Sequence, residues 1–469
     1  MYLVKSIAEG LGKNVFLFFS CLLIHKGIFA QENSPYSRYG VGDILPNQNI
    51  ATRAMGGISA GYSDFGLVGS PFNLNLNNPA SLGDLSHTKN FSNTIFDLGG
   101  EVDVRTLRSN TNFDKFRATN VIQSYLQVGF PIATNKMERR GMQWGLSFGL
   151  RPLNRINYKI EQNSRIPGVD SINTMYEGSG GMNQVNVSTG FKIIGKGSNK
   201  NELNIGLSSG YTFGNRDYSS KTSLINDTIP YYKSNYQSKS RYGGFFLNAG
   251  LQYEMHLKNA GNLRLGAYSN FQHNLTAYQN SINETYGFDG NGGTFGIDSV
   301  FAKKDAKGIV TLPSTYGVGF TYQSNNRHWL IGADYEWSNW NDYRYYNERE
   351  YTASNWTARA GVEFYPANPN TAATNKYWSY VKYRAGLYYG SDYIKINNTR
   401  YNYAATMGLS LPLTTPRYIQ TRGEFVCLNT TVEIGGRGNK QSLGLRENFV
   451  RFSFGISMNA RWFQKRSYD

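Results

Sequence analysis

From Val450 to Trp462 the chain alternates without a break. Val450, Phe452, Phe454, Ile456, Met458, Ala460 and Trp462 are apolar; Arg451, Ser453, Gly455, Ser457, Asn459 and Arg461 between them are polar or glycine. Successive side chains of a strand point to opposite faces, so one face here is wholly apolar. The run outlasts the inner strand of a soluble sandwich and is long enough for the ~9–11 residues that cross a bilayer at a tilt. The same rhythm returns at 144–150, 203–213, 247–255, 329–337 (where Leu330 is the one exception), 356–364 and 381–389. Weaker copies lie near 91–104, 121–132, 183–194, 262–274, 314–323, 400–411 and 424–434. The pattern predicts about 14 strands.

A bilayer tolerates no unpaired strand edge, so strands with one lipid-facing side must close on themselves. The fold class expected is all-β: a transmembrane antiparallel barrel over residues 91–469. An even strand number puts both ends of the sheet on the periplasmic side. Trp144, Trp337, Trp378 and Trp462 fall at segment ends, where an aromatic girdle meets the headgroups. Polar stretches at 155–180, 215–240, 280–312 and 343–353 are expected as long outward loops, and 258–262 and 325–326 as short periplasmic turns.

Composition narrows the class further. Aromatic residues make up 15% of the chain and charged residues only 17%, against the ~25% charged of an ordinary soluble domain. Mean hydropathy is nevertheless negative, and past residue 30 no apolar run reaches the ~18 residues of a spanning helix. Met1–Ala30 has the form of a cleaved secretory leader: Lys5 and Lys13, then an apolar core from Val15 to Ile24, then small residues at Gly27 and Ala30. Without it one cysteine remains, Cys427, so no internal disulfide can form and stability rests on backbone pairing and burial. The net charge of +16 is spread along the alternating segments rather than gathered in a stripe, which argues against nucleic acid as a partner. Outer-membrane lipid, or a basic lumen, accounts better for its sign.

Residues 31–90 lack strand periodicity and are rich in Gly, Asn, Ser and Pro. A barrel of ~14 strands is too wide for its own side chains to fill, so this segment is expected to fold inside as a plug. Within it, Asn78-Pro79-Ala80-Ser81-Leu82 resembles the hatch element of the FadL-like outer-membrane transporters of hydrophobic compounds. Ser34 to Asp43, followed by Arg53-Ala54-Met55-Gly56-Gly57, resembles the start of related barrels from gliding-type Gram-negative bacteria. The resemblance implies an outer-membrane location and passive uptake of a hydrophobic or amphipathic solute, such as a long-chain fatty acid or hydrocarbon. It marks Arg53, Gly56, Gly57, Asn78, Pro79, Ala80 and Leu82 as plug residues. Related barrels also serve protein-secretion machines, so the alternative is a non-catalytic subunit of a secretion or surface-assembly complex, with a protein partner at the extracellular loops. An apolar lumen pocket would favour transport, and a tightly filled lumen the subunit.

No reaction is expected. Two GxSxG matches, at Ser147 and Ser208, sit inside alternating strands rather than at the strand-to-helix turn a nucleophile elbow needs. The histidines lack metal-ligand spacing, and Asp289–Gly293 lacks the later Glu of a calcium loop, so neither a metal nor a cofactor is expected. On the lumen face, Asp334, Glu336, Arg359, Glu363, Lys382 and Arg384 form a charged ladder, read first as pairing that rigidifies the wall.

Overall fold

The computed structural model describes residues 34–64, 73–85, 94–109, 115–165, 167–168, 170–195, 201–226, 231–258, 260–288, 293–367, 376–396, 398–415, 424–438 and 445–460. The leader, most of the Asp289–Gly293 loop and Trp462 lie outside them. The strands are β1 (Thr94–Ser109), β2 (Lys115–Pro131), β3 (Met142–Arg165), β4 (Ser171–Ile194), β5 (Glu202–Ile225), β6 (Lys233–Leu257), β7 (Gly261–Asn270), β8 (His273–Phe288), β9 (Thr294–Leu312) and β10 (Thr315–Gln323). They continue as β11 (Trp329–Ser338), β12 (Asn355–Phe364), β13 (Lys382–Ser391), β14 (Tyr401–Pro412), β15 (Val426–Arg437) and β16 (Leu445–Ala460).

These sixteen segments make fourteen wall strands. Strand β6 pairs first with β7 and then, along its outer half, with β8, so β7 and β8 share one position in the wall. β9 and β10 share the next, pairing with β8 and β7 respectively. The wall closes where β16 meets β1, from Leu445↔Ser109 to Ala460↔Thr94. Neighbours run antiparallel throughout, and the expected fourteen strands are present.

Facing follows the two-residue rhythm. Phe452, Phe454, Ile456 and Met458 are exposed on the outside of β16, while Arg451, Ser453 and Ser457 are buried within. Leu387 is exposed and Arg384 buried on β13. The exception at Leu330 is a true inward residue: it packs on Met55, Ile58 and Tyr62. Aromatic rings gather at both rims. Trp329 lies 4.5 Å from Phe364 at one end, and Trp356, Tyr389 and Tyr401 follow one another at 5.8 and 5.5 Å at the other.

Three of the four expected long loops are largely strand among the described residues. Most of the described part of 155–180, 215–240 and 280–312 belongs to the outer halves of β3 to β6, β8 and β9. β4 and β5 stay paired without interruption from Ile194↔Glu202 to Ser171↔Ile225. Alternation marks a strand only where one face is apolar, and beyond the bilayer both faces are wet, so the signal disappears while the ladder continues. β3 to β6 have 24 or 25 residues each, roughly 80 Å at ~3.3 Å per residue, whereas β11 to β13 have ten. Six of the fourteen wall positions therefore carry a tall sheet above the membrane. Only 343–353 is an irregular connection, with Arg344–Tyr345 bridging to β9.

The wall is thin at one place. β2 and β3 pair only from Leu126↔Leu150 to Pro131↔Gly145. Above that point β2 pairs with β1 alone, and β3 has Asp43 and Ile44 laid against Arg155 and Asn154.

A charge at position 387 faces lipid. Leu387→Arg is expected to lower folding stability in vesicles by ~2–4 kcal/mol. Val300→Arg, on the tall sheet outside the bilayer, should stay within ~0.5 kcal/mol; denaturant titration of the two variants checks the difference.

Candidate functional site: the charged lumen

The N-terminal segment runs down the inside of the wall. Its start packs at the outer mouth, where Tyr36 and Val41 join Met182, Tyr242, Tyr343 and Tyr393 in one apolar cluster. Gly42, at φ 92°, turns the chain into the Asp43–Ile44 bridge. A one-turn helix, Ile50–Arg53, follows; Asn49 caps it by accepting from Thr52 N at 2.7 Å. Gly56 and Gly57, both at positive φ, end it. Gly57 N donates to Thr52 O at 2.9 Å, and Gly56 N donates to Thr406 Oγ1 of the wall at 2.9 Å.

Asn78-Pro79-Ala80 starts a second short helix, Pro79–Asp84. The Asn78 side chain accepts from Ala80 N at 3.1 Å, and Pro79 takes the first helical position, where no N–H is needed. Asn78 Nδ2 also donates to Ala60 O at 2.7 Å, which ties the two halves of the segment together. Leu82 packs with Leu74, Leu85, Ile95 and Phe425. All seven residues singled out from the sequence, Arg53, Gly56, Gly57, Asn78, Pro79, Ala80 and Leu82, are thus buried in this segment.

Inward-facing wall glycines let the segment's backbone lie directly on the strands. A Cβ on Gly206 would strike Ala80 N and the carbonyl carbon of Pro79, and one on Gly386 would strike Gly56 N and Met55. In the sequence these glycines register only as the small half of an alternating pair.

Charge fixes the register between segment and wall. Asp43 accepts from Arg105 at 2.7 Å and Arg437 at 2.5 Å. Arg53 donates to Glu101 at 2.5 Å and Glu433 at 2.7 Å. Asp64 meets Lys382 at 2.5 Å, and Asp84 meets Lys192 at 2.8 Å and also Arg264. Arg38 lies over the Tyr176 ring at 4.2 Å. Every charged side chain of the segment among the described residues is thereby held by the wall.

The predicted ladder joins this network rather than standing apart. Arg359 pairs with Glu336 at 2.9 Å, and Arg384 with Glu363 at 2.7 Å. Asp334 accepts from Ser59 N and Ala60 N, and Lys382 reaches Asp64, so half of the connections run from wall to segment. Sequence reasoning missed Glu101, Arg105, Glu433, Arg437 and Arg451. Their parity on β1, β15 and β16 was the available signal; their partners, more than 300 residues away in several cases, had none.

A cavity of about 250 Å³ remains between Ile44–Gln48, the Gly56–Gly57 turn and the wall. Its lining sets Arg53, Arg359, Arg451, Glu336, Glu433 and Glu447 beside Ile44, Leu45, Trp340 and Phe449, so it is of mixed sign and partly apolar rather than basic. Ser147 accepts from Gln127 at 3.0 Å and Ser208 from Ser188 at 2.7 Å, both on strands inside the barrel.

A closed fourteen-strand antiparallel barrel whose inner face is wet and whose outer face is apolar is an outer-membrane barrel, here of FadL-like architecture. The chain belongs to the BamG family, whose model matches residues 12–469. Among solved structures it is similar to the toluene transporter TodX of Pseudomonas putida, at 14% identity and a TM-score of 0.51, with 90% of this chain and all of that one covered. The CymD monoaromatic hydrocarbon channel (11% identity, TM-score 0.49, covering 90% and 100%) and a Pseudomonas aeruginosa FadL homologue (12%, 0.48, 89% and 99%) are similar to it as well. No curated protein sequence matches the chain.

Removing Arg53 strands buried Glu101 and Glu433 with fewer partners. Arg53→Met is expected to cost ~3–5 kcal/mol and to lower the temperature of the barrel's heat-induced gel shift. Gly206→Val should leave the wall folded but push the Pro79–Asp84 helix off it; planar-bilayer recording is expected to show ion conductance that the parent lacks.

Proposed function

We propose that this chain is a plugged, non-catalytic barrel of the outer membrane that serves as a subunit of a protein-secretion or surface-assembly complex. On this reading residues 1–30 are a cleaved leader, 31–90 the plug and 91–469 the barrel. The observation that carries it is the ionic locking of the inner segment: Asp43, Arg53, Asp64 and Asp84 each meet two wall charges of opposite sign. Breaking a buried pair costs ~3–5 kcal/mol, so a solute would have to displace several such pairs to pass. The space left open is lined by charges of both signs, which suits water better than a hydrocarbon. The tall sheet, with both faces in water, offers a surface for protein that a conduit does not need.

Passive transport of a hydrophobic or amphipathic small molecule is the second reading. One feature of the wall supports it: the short β2–β3 pairing, with Ile44 lodged in the opening and 42% exposed, is a place where a solute could leave sideways. The FadL-like architecture agrees with it.

Purification from native outer membranes in mild detergent, with mass spectrometry of both proteins and lipids, separates the two. A protein partner near one-to-one stoichiometry is the expected result. A stoichiometric hydrophobe with no protein would establish the transporter instead.

A further inference from the structure

The tall sheet ends in a free margin. On one side β9 pairs with β8, from Thr294↔Phe288 to Leu312↔His273. On the other, only its membrane-proximal end is occupied: Val310 and Thr311 pair with Tyr345 and Arg344, and Tyr346 bonds to Ile309 O and Ala306 O. From Thr294 to Asp305 no described backbone pairs with that side, and every side chain is exposed.

Long edges in water are normally guarded by lysines, prolines or bulges, because their unpaired N–H and C=O groups template another strand. β9 is guarded unevenly. Lys303, Lys304 and Lys307 stand at the membrane-proximal end, and the pairing with β8 shifts register at three places. The outer stretch, Thr294–Phe301, carries one charge, Asp298, and presents Phe295, Ile297, Val300 and Phe301, each more than half exposed. Asp305 is taken by Arg241 at 3.2 Å, so the lysines beside it keep their charge unmatched by it.

We propose that Thr294–Asp305 is a docking strand that receives an extended segment of a partner protein by strand addition. A row of backbone donors and acceptors at strand spacing is matched residue for residue by another extended polypeptide, which replaces the water now bound to it. The side chains define the rest of the occupant: apolar residues along Phe295–Phe301 and acidic residues opposite Lys303 and Lys304. This surface rests on the subunit reading above and names where that partner binds.

The test uses the full-length barrel in nanodiscs and a synthetic ten-residue peptide of alternating Val and Thr with two glutamates at one end. Tighter binding of this peptide than of its lysine-ended counterpart, by about fivefold, is expected from two exposed cross-strand charge pairs. The double variant Lys303→Glu/Lys304→Glu should reverse that preference, and Val300→Asp should abolish binding while the barrel's gel shift stays unchanged. Equal binding of both peptides, or no effect of Val300→Asp, overturns the proposal. So does a concentration-dependent dimer lost in Val300→Asp, which would assign the edge to a second copy of this chain. If a stoichiometric partner still co-purifies with Val300→Asp from native membranes, the docking strand falls and the subunit reading stands. If no partner accompanies the parent protein, the subunit reading itself falls, and the docking strand with it.

Discussion

In hydrocarbon every backbone N–H and C=O must find a partner within the protein, and the rest of this structure descends from that requirement. It forces the sheet to close, and closing fourteen strands leaves a bore that wall side chains alone cannot fill. The inner face is largely polar, and what fills the bore meets buried charges as well as a few apolar contacts such as Leu330 and Phe425. The N-terminal segment fits that face in two ways. Its backbone presses against glycines such as Gly206 and Gly386, and its few charges enter the wall's ion pairs.

Ion pairs buried this way add little net stability over apolar packing, but they fix position. An apolar segment in a wide lumen could slide by a residue and still bury the same area. Arg53 between Glu101 and Glu433, with Asp84 between Lys192 and Arg264 on other strands, permits one placement along the bore. The mixed sign of the lumen follows from this role. A uniformly basic bore would hold Asp43 and Asp84 but repel Arg53.

The membrane-crossing part of the fold was legible in the sequence because lipid imposes a strict contrast between faces. The outward direction of Leu387, the inward direction of Arg384 and the lone irregularity at Leu330 all follow from parity. The tall sheet was not legible, since β3 to β6 beyond the bilayer have no dry face to break the monotony of polar residues. In the lumen, parity identified which side chains point inward, including Asp334 and Arg359, but not what they touch. Asp64 and Lys382 are 318 positions apart, and nothing local in either stretch announces the other. The Asn78-Pro79-Ala80 turn was recognisable because its capping chemistry is complete within three residues.

The seam between the first and last strands has a consequence for how the molecule comes together. Asp43 is gripped by Arg105 from β1 and Arg437 from β15, and Arg53 by Glu101 and Glu433 from the same two strands, which flank β16. These grips cannot exist until the final hairpin arrives, yet once β16 has zipped onto β1 the ring offers no side entrance along that seam. Neither grip is complete until the ring has shut, so closure of the wall and the last ionic latches of the amino-terminal stretch are coupled.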